Sequence, residues 1–188
     1  GAEQAEVEAL FSLEDAPAAR AFLAAQEIEQ DEALVRRLAE AKARAAAPRV
    51  QDSALVVGAD TVVVVDTPAG EEILGKPADA AAARTMLRQL SGRTHRVISG
   101  VCVLRLPDGA IRAAEETTQV TFAPLVTQEI EGYVASGEPL GKAGAYAIQG
   151  RAGRFVQRIE GCYFNVVGLP LARLYGLLRE FGWNEAGR

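Results

Sequence analysis

The run Ala54-Leu-Val-Val-Gly-Ala-Asp-Thr-Val-Val-Val-Val-Asp66 constrains this chain more than any other segment. Its β-branched residues predict a strand buried on both faces. In its middle stands Gly58-Ala59-Asp60-Thr61. A carboxylate there is costly to bury without a cation, a metal or several donors. The bland alternative is a turn or an edge-strand kink that leaves Asp60 exposed. These residues taken alone do not choose between the two. Gly58 permits a bulge or a close approach of another backbone.

The surrounding pattern alternates helix and strand. Asp31 can cap a helix over about 32–46, with Leu34, Leu38, Ala41 and Ala45 at helical spacing and Pro48 ending it. After the strand, Thr67-Pro-Ala-Gly70 is turn chemistry and Glu71 to Leu74 reads as a return strand. A helix over about 79–90 places Ala83, Met86, Leu87 and Leu90 on one face. Arg96–Leu106 and Ala110–Phe122 read as a hairpin around Pro107-Asp-Gly109. Thr127 can cap a helix carrying Ile130, Tyr133 and Val134. Strands are expected at 154–158 and 163–167. A last helix starts at Pro170 and turns Leu171, Leu174, Tyr175 and Leu178 inward. Residues 7–26 read as one or two short helices. The class is α/β: a single domain with a central mixed sheet flanked by helices.

Composition narrows the functions. With 188 residues, 49% of them apolar and 24% charged, the chain suits one folded domain. The net charge of −5 argues against binding duplex nucleic acid, which needs a basic face. It leaves room for a small anion held by a local group of lysines. No apolar run approaches the ~20 residues of a membrane span. The first residues show no basic region followed by an apolar stretch, and Gly1-Ala2 has the look of a cloning remnant or of a missing start. Cys102 and Cys162 make no disulfide framework. A cytoplasmic location is expected.

Other candidates stand beside ordinary explanations. Gly70-Glu-Glu-Ile-Leu-Gly75-Lys76-Pro77 fits the first part of a phosphate-binding P-loop. Pro77 supplies neither the required hydroxyl nor an N–H, so that motif is set aside, while Lys76 can still meet phosphate as a point charge. Lys42 stands four residues after Leu38, on the same side of its helix. It must snorkel or meet an anion. Lys142-Ala-Gly-Ala-Tyr-Ala-Ile-Gln149-Gly150 suits either a binding loop or a glycine-rich turn. His95 is the single histidine, without metal spacing or a serine–aspartate set, and reads as structural.

Taken together, the segments resemble the Maf family of nucleotide pyrophosphatases. The matching pieces include Leu38-Ala-Glu-Ala-Lys-Ala-Arg-Ala45, Val57-Gly-Ala-Asp-Thr-Val-Val64, Ile73-Leu-Gly-Lys-Pro77 and Leu90-Ser-Gly-Arg-Thr-His95. Gly137-Glu-Pro-Leu140, Lys142-Ala-Gly-Ala-Tyr146, Ile148-Gln-Gly150 and Asn165-Val-Val-Gly-Leu-Pro-Leu171 follow. The likeness runs over about 29–181, with residues 1–28 atypical. It implies a Maf/ITPase-like domain with a deep cleft, often a homodimer. It also implies hydrolysis of a nucleoside triphosphate to the monophosphate and pyrophosphate. The Ala-Tyr-Ala-Ile-Gln-Gly version resembles the branch that acts on dTTP and UTP. Asp60 matches the proton acceptor, and a divalent cation (Mg²⁺ or Mn²⁺) would be held by it and by Glu29, which aligns loosely with a family carboxylate. Lys42 and Lys76 match the lysines of the phosphate site, and Thr61 and Gln149 match positions tied to substrate choice.

The likeness fails at the start. The family opens on Ser-x-Ser-Pro-Arg-Arg, and the nearest equivalent here is Ala16-Pro17-Ala18-Ala19-Arg20. Arginine grips phosphate bidentately and alanine cannot. Each lost donor of this kind costs roughly 10²–10³ in rate. Two outcomes therefore stand open from the sequence: an active pyrophosphatase, or a nucleotide-binding or regulatory relative without the chemistry.

Overall fold

The computed structural model describes residues 31–50 and 52–183. Glu29 and the Ala16–Arg20 segment lie outside the described residues.

Helix α1 (Asp31–Ala46) opens with Asp31 and Glu32 in its first turn and carries Arg44 in its last. Both placements suit the helix dipole. It buries Val35, Leu38, Ala39 and Ala43, so Leu38 faces inward as expected while the rest of the buried face is turned away from Leu34, Ala41 and Ala45. Ala41 and Ala45 are exposed. The face chosen is the one that sets small residues against a strand.

Five strands follow: β1 (Ala54–Thr67), β2 (Gly70–Leu74), β3 (Thr94–Leu106), β4 (Ile111–Phe122) and β5 (Val156–Glu160). They form one sheet in the order β2-β1-β3-β4-β5. Strands β1 and β2 pair antiparallel with Val63 opposite Leu74, and β4 and β5 pair antiparallel with Val120 opposite Ile159. Strands β3 and β4 are neighbours joined by a tight hairpin, closed by Arg105 N–H to Ala110 O at 2.8 Å. Contacts between β1 and β3 run in opposite senses: Ser53 reaches Leu106, Thr61 meets Ser99, and Arg93 reaches Asp66. The α/β expectation therefore holds, with an antiparallel rather than a mixed sheet. The reason lies in α2 (Ala80–Leu90), which links β2 to β3. Those two strands share a direction, as a strand–helix–strand pattern suggests, but β1 lies between them and opposes both.

The α2 helix starts one residue after the expected bound and is capped by Asp79, which accepts a hydrogen bond from Ala82 N–H at 2.8 Å. Helix α3 (Thr127–Val134) is capped differently. Thr127 is its first residue, not its cap, and the Glu129 side chain reaches back to accept Val126 N–H at 2.9 Å. The segment expected as a strand over 163–167 is instead a short helix, α4 (Tyr163–Val167), ended by Gly168 at φ 118°. Its aromatic and β-branched residues favour a strand by composition. A side-chain network around Asn165, described below, overrides that preference. In α5 (Leu171–Glu180) the buried residue is Leu177, while Leu171 and Tyr175 are exposed.

The chain divides into two compact units. One holds the described residues up to Asp60, Gly100–Glu115, and those from Leu171 onward. Its core packs Ala39 and Ala43 of α1 against Val56, Cys102 and Leu104. The other holds Thr61–Ser99 and Glu116–Pro170. Its larger core gathers Val63, Val65, Leu87, Leu90, Val97 and Ile130 around an aromatic series. There His95 meets Tyr146, Tyr146 meets Phe122, Phe122 meets Phe155, and Phe155 meets Tyr133, with ring centroids 4.8–6.2 Å apart. Mostly edge-on contacts of this kind are favourable beyond the area they bury. No helix among the described residues is long and apolar enough to cross a membrane.

Candidate active site

Two glycines decide where Lys42 goes. A Cβ built on Gly58 of β1 would lie 2.1 Å from the Ala39 carbonyl oxygen, and one on Gly100 of β3 would lie 2.2 Å from that of Val35. Helix α1 thus rests directly on the backbone of these two strands. At that separation the Lys42 side chain is short enough in reach, and close enough in place, to meet β1. Its Nζ donates to the Ala59 carbonyl at 2.8 Å and forms a short ion pair with Asp60 Oδ1. The two side chains are only 16% and 17% exposed. The carboxylate in the middle of the apolar run is therefore compensated by a cation, and the lysine meets an anion instead of snorkelling.

Thr61 is next in the chain and belongs to the second unit. Its hydroxyl lies 2.7 Å from Ser99 Oγ and 3.4 Å from the Gly168 carbonyl. Ser99 Oγ donates in turn to the Asn165 carbonyl at 3.2 Å. The Asn165 amide, fully buried, donates to Val97 O and to Thr118 Oγ1, each at 2.9 Å. Thr118 Oγ1 also accepts Cys162 N–H at 3.0 Å. This network sets the conformation of residues 162–168 and ties it to Thr61. Sequence reasoning gave no role to Ser99, Thr118 or Asn165. Ser99 and Asn165 carried a signal, each a polar residue within an apolar segment, whereas Thr118 stands in the polar run Glu115-Glu-Thr-Thr-Gln119 and carried none.

Lys76 is exposed on the loop after β2. The segment Gly70–Leu74 is a strand, which agrees with setting the P-loop aside. Gly144 N–H donates to Gly75 O at 3.1 Å, so the Lys76 loop is tied to the Lys142–Tyr146 loop. Gln149 is exposed at the corner of a turn closed by Gly150 N–H to Ala147 O at 3.0 Å. An open depression of about 400 Å³ lies against the same segment, lined in part by Ile148, Gly153, Val156 and Tyr163. His95, buried, shares a hydrogen bond of 2.9 Å between Nε2 and the Tyr146 hydroxyl, and burial lowers its pKa to about 4. It is a structural residue of the second core.

Among the described residues no three His, Cys, Asp or Glu side chains come together to hold a metal. Asp60 offers one carboxylate, with Oδ1 engaged by Lys42. That set fits Mg²⁺-type binding, which uses one or two carboxylates plus substrate phosphates, and does not fit an all-protein cage.

The order and identity of these segments match the model of the family described as Maf-like protein over residues 6–181. The chain belongs to the Maf-like family. The match takes in most of the atypical N-terminal stretch. A dTTP/UTP pyrophosphatase of Pelotomaculum thermopropionicum is 53% identical over 151 residues, covering 80% of this chain and 76% of that protein. One of Moorella thermoacetica is 53% identical over 156 residues, covering 83% and 78%. One of Symbiobacterium thermophilum is 52% identical over 150 residues, covering 80% and 74%.

Proposed function

We propose that this Maf-like protein is a nucleoside triphosphate pyrophosphatase that hydrolyses dTTP and UTP to the monophosphate and pyrophosphate. The observation that carries the reading is the Lys42–Asp60 pair, a carboxylate on a mostly buried strand held by an ammonium from helix α1. The relatives named dTTP/UTP pyrophosphatase support the choice of substrate.

In this reading Asp60 accepts the proton of the attacking water. The water oxygen bonds to the α-phosphorus, the bond from that phosphorus to the β-phosphate oxygen breaks, and pyrophosphate leaves with the electron pair. Lys42 offsets negative charge on the triphosphate as it binds. Lys76 does the same from its own loop, and Thr61 and Gln149 select the base. Asp60 would hold a divalent cation (Mg²⁺ or Mn²⁺), and Glu29 would be a second carboxylate. When bound, such an ion polarises phosphate oxygens and lowers the pKa of water. The proposal extends to a homodimer working in the cytoplasm.

The test is pyrophosphate release from dTTP, UTP and methylated GTP with Mg²⁺ or Mn²⁺, beside an Asp60→Asn control. Release from dTTP and UTP that vanishes in the control supports the enzyme. Nucleotide binding without release from any of the three leaves a relative that has lost its chemistry.

A further inference from the structure

Resting on that proposed function, we infer that Glu138 and Tyr133 are positioning residues for Gln149, holding both feet of the turn that presents it. The argument begins in helix α3, whose buried Tyr133 points its hydroxyl at the Glu138 carboxylate and donates to Oε1 at 2.9 Å. The same hydroxyl accepts Ala147 N–H at 3.2 Å. The Glu138 carboxylate accepts Arg151 N–H, at 2.9 Å on Oε1 and 3.2 Å on Oε2. One foot of the 147–151 segment is thus fixed by the phenol and the other by the carboxylate. Between them Gly150 N–H closes onto Ala147 O, which leaves Ile148 and Gln149 at the corner.

The fit is tight. A Cβ on Gly150 would lie 2.2 Å from Glu138 Oε1. A Cβ on Gly153 would lie 2.8 Å from the Ile148 carbonyl oxygen. The Glu138 carboxylate therefore packs against the backbone itself at the residue after Gln149. Burial raises its pKa, but the Arg151 N–H, the Tyr133 hydroxyl and the Ala152 N–H outweigh that and leave it below the usual carboxylate range. These donors favour the charged form, which is the form that binds N–H groups most strongly. Tyr133 in turn is locked by its edge-on contact with Phe155, at 5.3 Å between centroids. A side chain at the corner of a turn so restrained loses little freedom when it meets a base. An unrestrained Gln149 would lose more, and affinity rather than the chemical step would suffer.

The experiment compares the full-length wild type with Glu138→Ala, Glu138→Gln, Tyr133→Phe, Gln149→Ala and the Glu138→Ala/Gln149→Ala double variant. It reads KM and kcat for dTTP and UTP, the Kd of non-hydrolysable α,β-imido-dUTP, and thermal stability. Glu138→Ala is expected to raise KM and Kd about tenfold while kcat changes less. Glu138→Gln, which keeps an acceptor oxygen, restores much of the loss. The double variant is no worse than Gln149→Ala, because the clamp acts through that residue. If the Ala variant does not fold, Tyr133→Phe takes its place in the cycle. Additive losses in the double variant, or unchanged KM and Kd in folded Glu138→Ala and Tyr133→Phe, would overturn the inference. A wild type that binds the analogue but releases no pyrophosphate defeats the proposed function alone, since Kd still reads the clamp. A wild type that binds no nucleotide overturns both.

Discussion

Lys42 Nζ bridges the Asp60 carboxylate and the Ala59 carbonyl, so one ammonium fixes both the side chain and the backbone at the centre of β1. Removing either partner should have different consequences. Asp60→Asn keeps the shape and an acceptor for Lys42 but removes the proton acceptor. Turnover should fall by roughly 10²–10⁴, and because the mostly buried ammonium keeps an acceptor but loses its countercharge, stability should fall by about 1–3 kcal/mol. Lys42→Met leaves a mostly buried carboxylate without its cation, which should cost about 3 kcal/mol of stability as well as turnover. Urea denaturation alongside pyrophosphate release separates the two. Full stability in both variants would contradict the arrangement.

Gly58 and Gly100 give a second prediction. A methyl group at either position collides with the backbone carbonyls of α1, at 2.1 and 2.2 Å. The backbone must shift, and overpacking of this kind costs about 1–3 kcal/mol or more. Because Lys42 rides on α1, Gly58→Ala and Gly100→Ala should also reduce turnover. An active, fully stable Gly58→Ala protein would show that the close approach is dispensable.

How much of this was legible beforehand depends on whether the signal was local. The strand around Asp60, the helix over 80–90 and the structural role of His95 follow from residues read within a few positions. The pairing of Lys42 with Asp60 could only be posed as two separate puzzles, a lysine on an apolar helix face and a carboxylate in an apolar strand. Each is the other's answer, but that requires knowing that α1 lies across Gly58. The strand expected at 163–167 failed for the same reason. Tyr163-Phe-Asn-Val-Val167 prefers a strand by composition, and partners 40 or more residues away, Val97 and Thr118, make it a helix through Asn165. Glu138 stood in a recognisable Gly-Glu-Pro segment, yet nothing local shows that its carboxylate ends on the backbone at Arg151.

The Asn165 network yields a third prediction. Asn165→Leu is close in size but takes its donor from the Val97 carbonyl and leaves Thr118 Oγ1 with only the Cys162 N–H. Losing hydrogen bonds in a buried place, one of them from a carbonyl, costs about 1–3 kcal/mol. The variant should be destabilised by about that amount. Thr118→Val, which also strips the partner of Cys162 N–H, should cost less in the Asn165→Leu background than alone, since the bond between the two residues is then already lost. Denaturation of the two single variants and the double variant measures the coupling, and strict additivity would argue against a connected network.

His95 sets the acid limit of the second core. Burial lowers its pKa to about 4 from 6.5 in the unfolded chain. Between these values the unfolded state binds a proton that the folded state refuses, so stability rises with pH there and is lost as pH falls. Above about pH 6.5 the contribution is flat. From pH 7 to 5.5 the loss should be about 1 kcal/mol, in a range where ordinary carboxylates stay ionised. Towards pH 4 it should grow to about 3 kcal/mol. His95→Gln keeps a polar partner for the Tyr146 hydroxyl but cannot take up a proton in this range. Urea midpoints at pH 7 and 5.5 are therefore expected to differ in the wild type and to coincide in His95→Gln. A wild-type midpoint that does not move between those pH values would mean that the imidazole is hydrated in the folded state and that the core around Phe122 and Tyr146 is open to water.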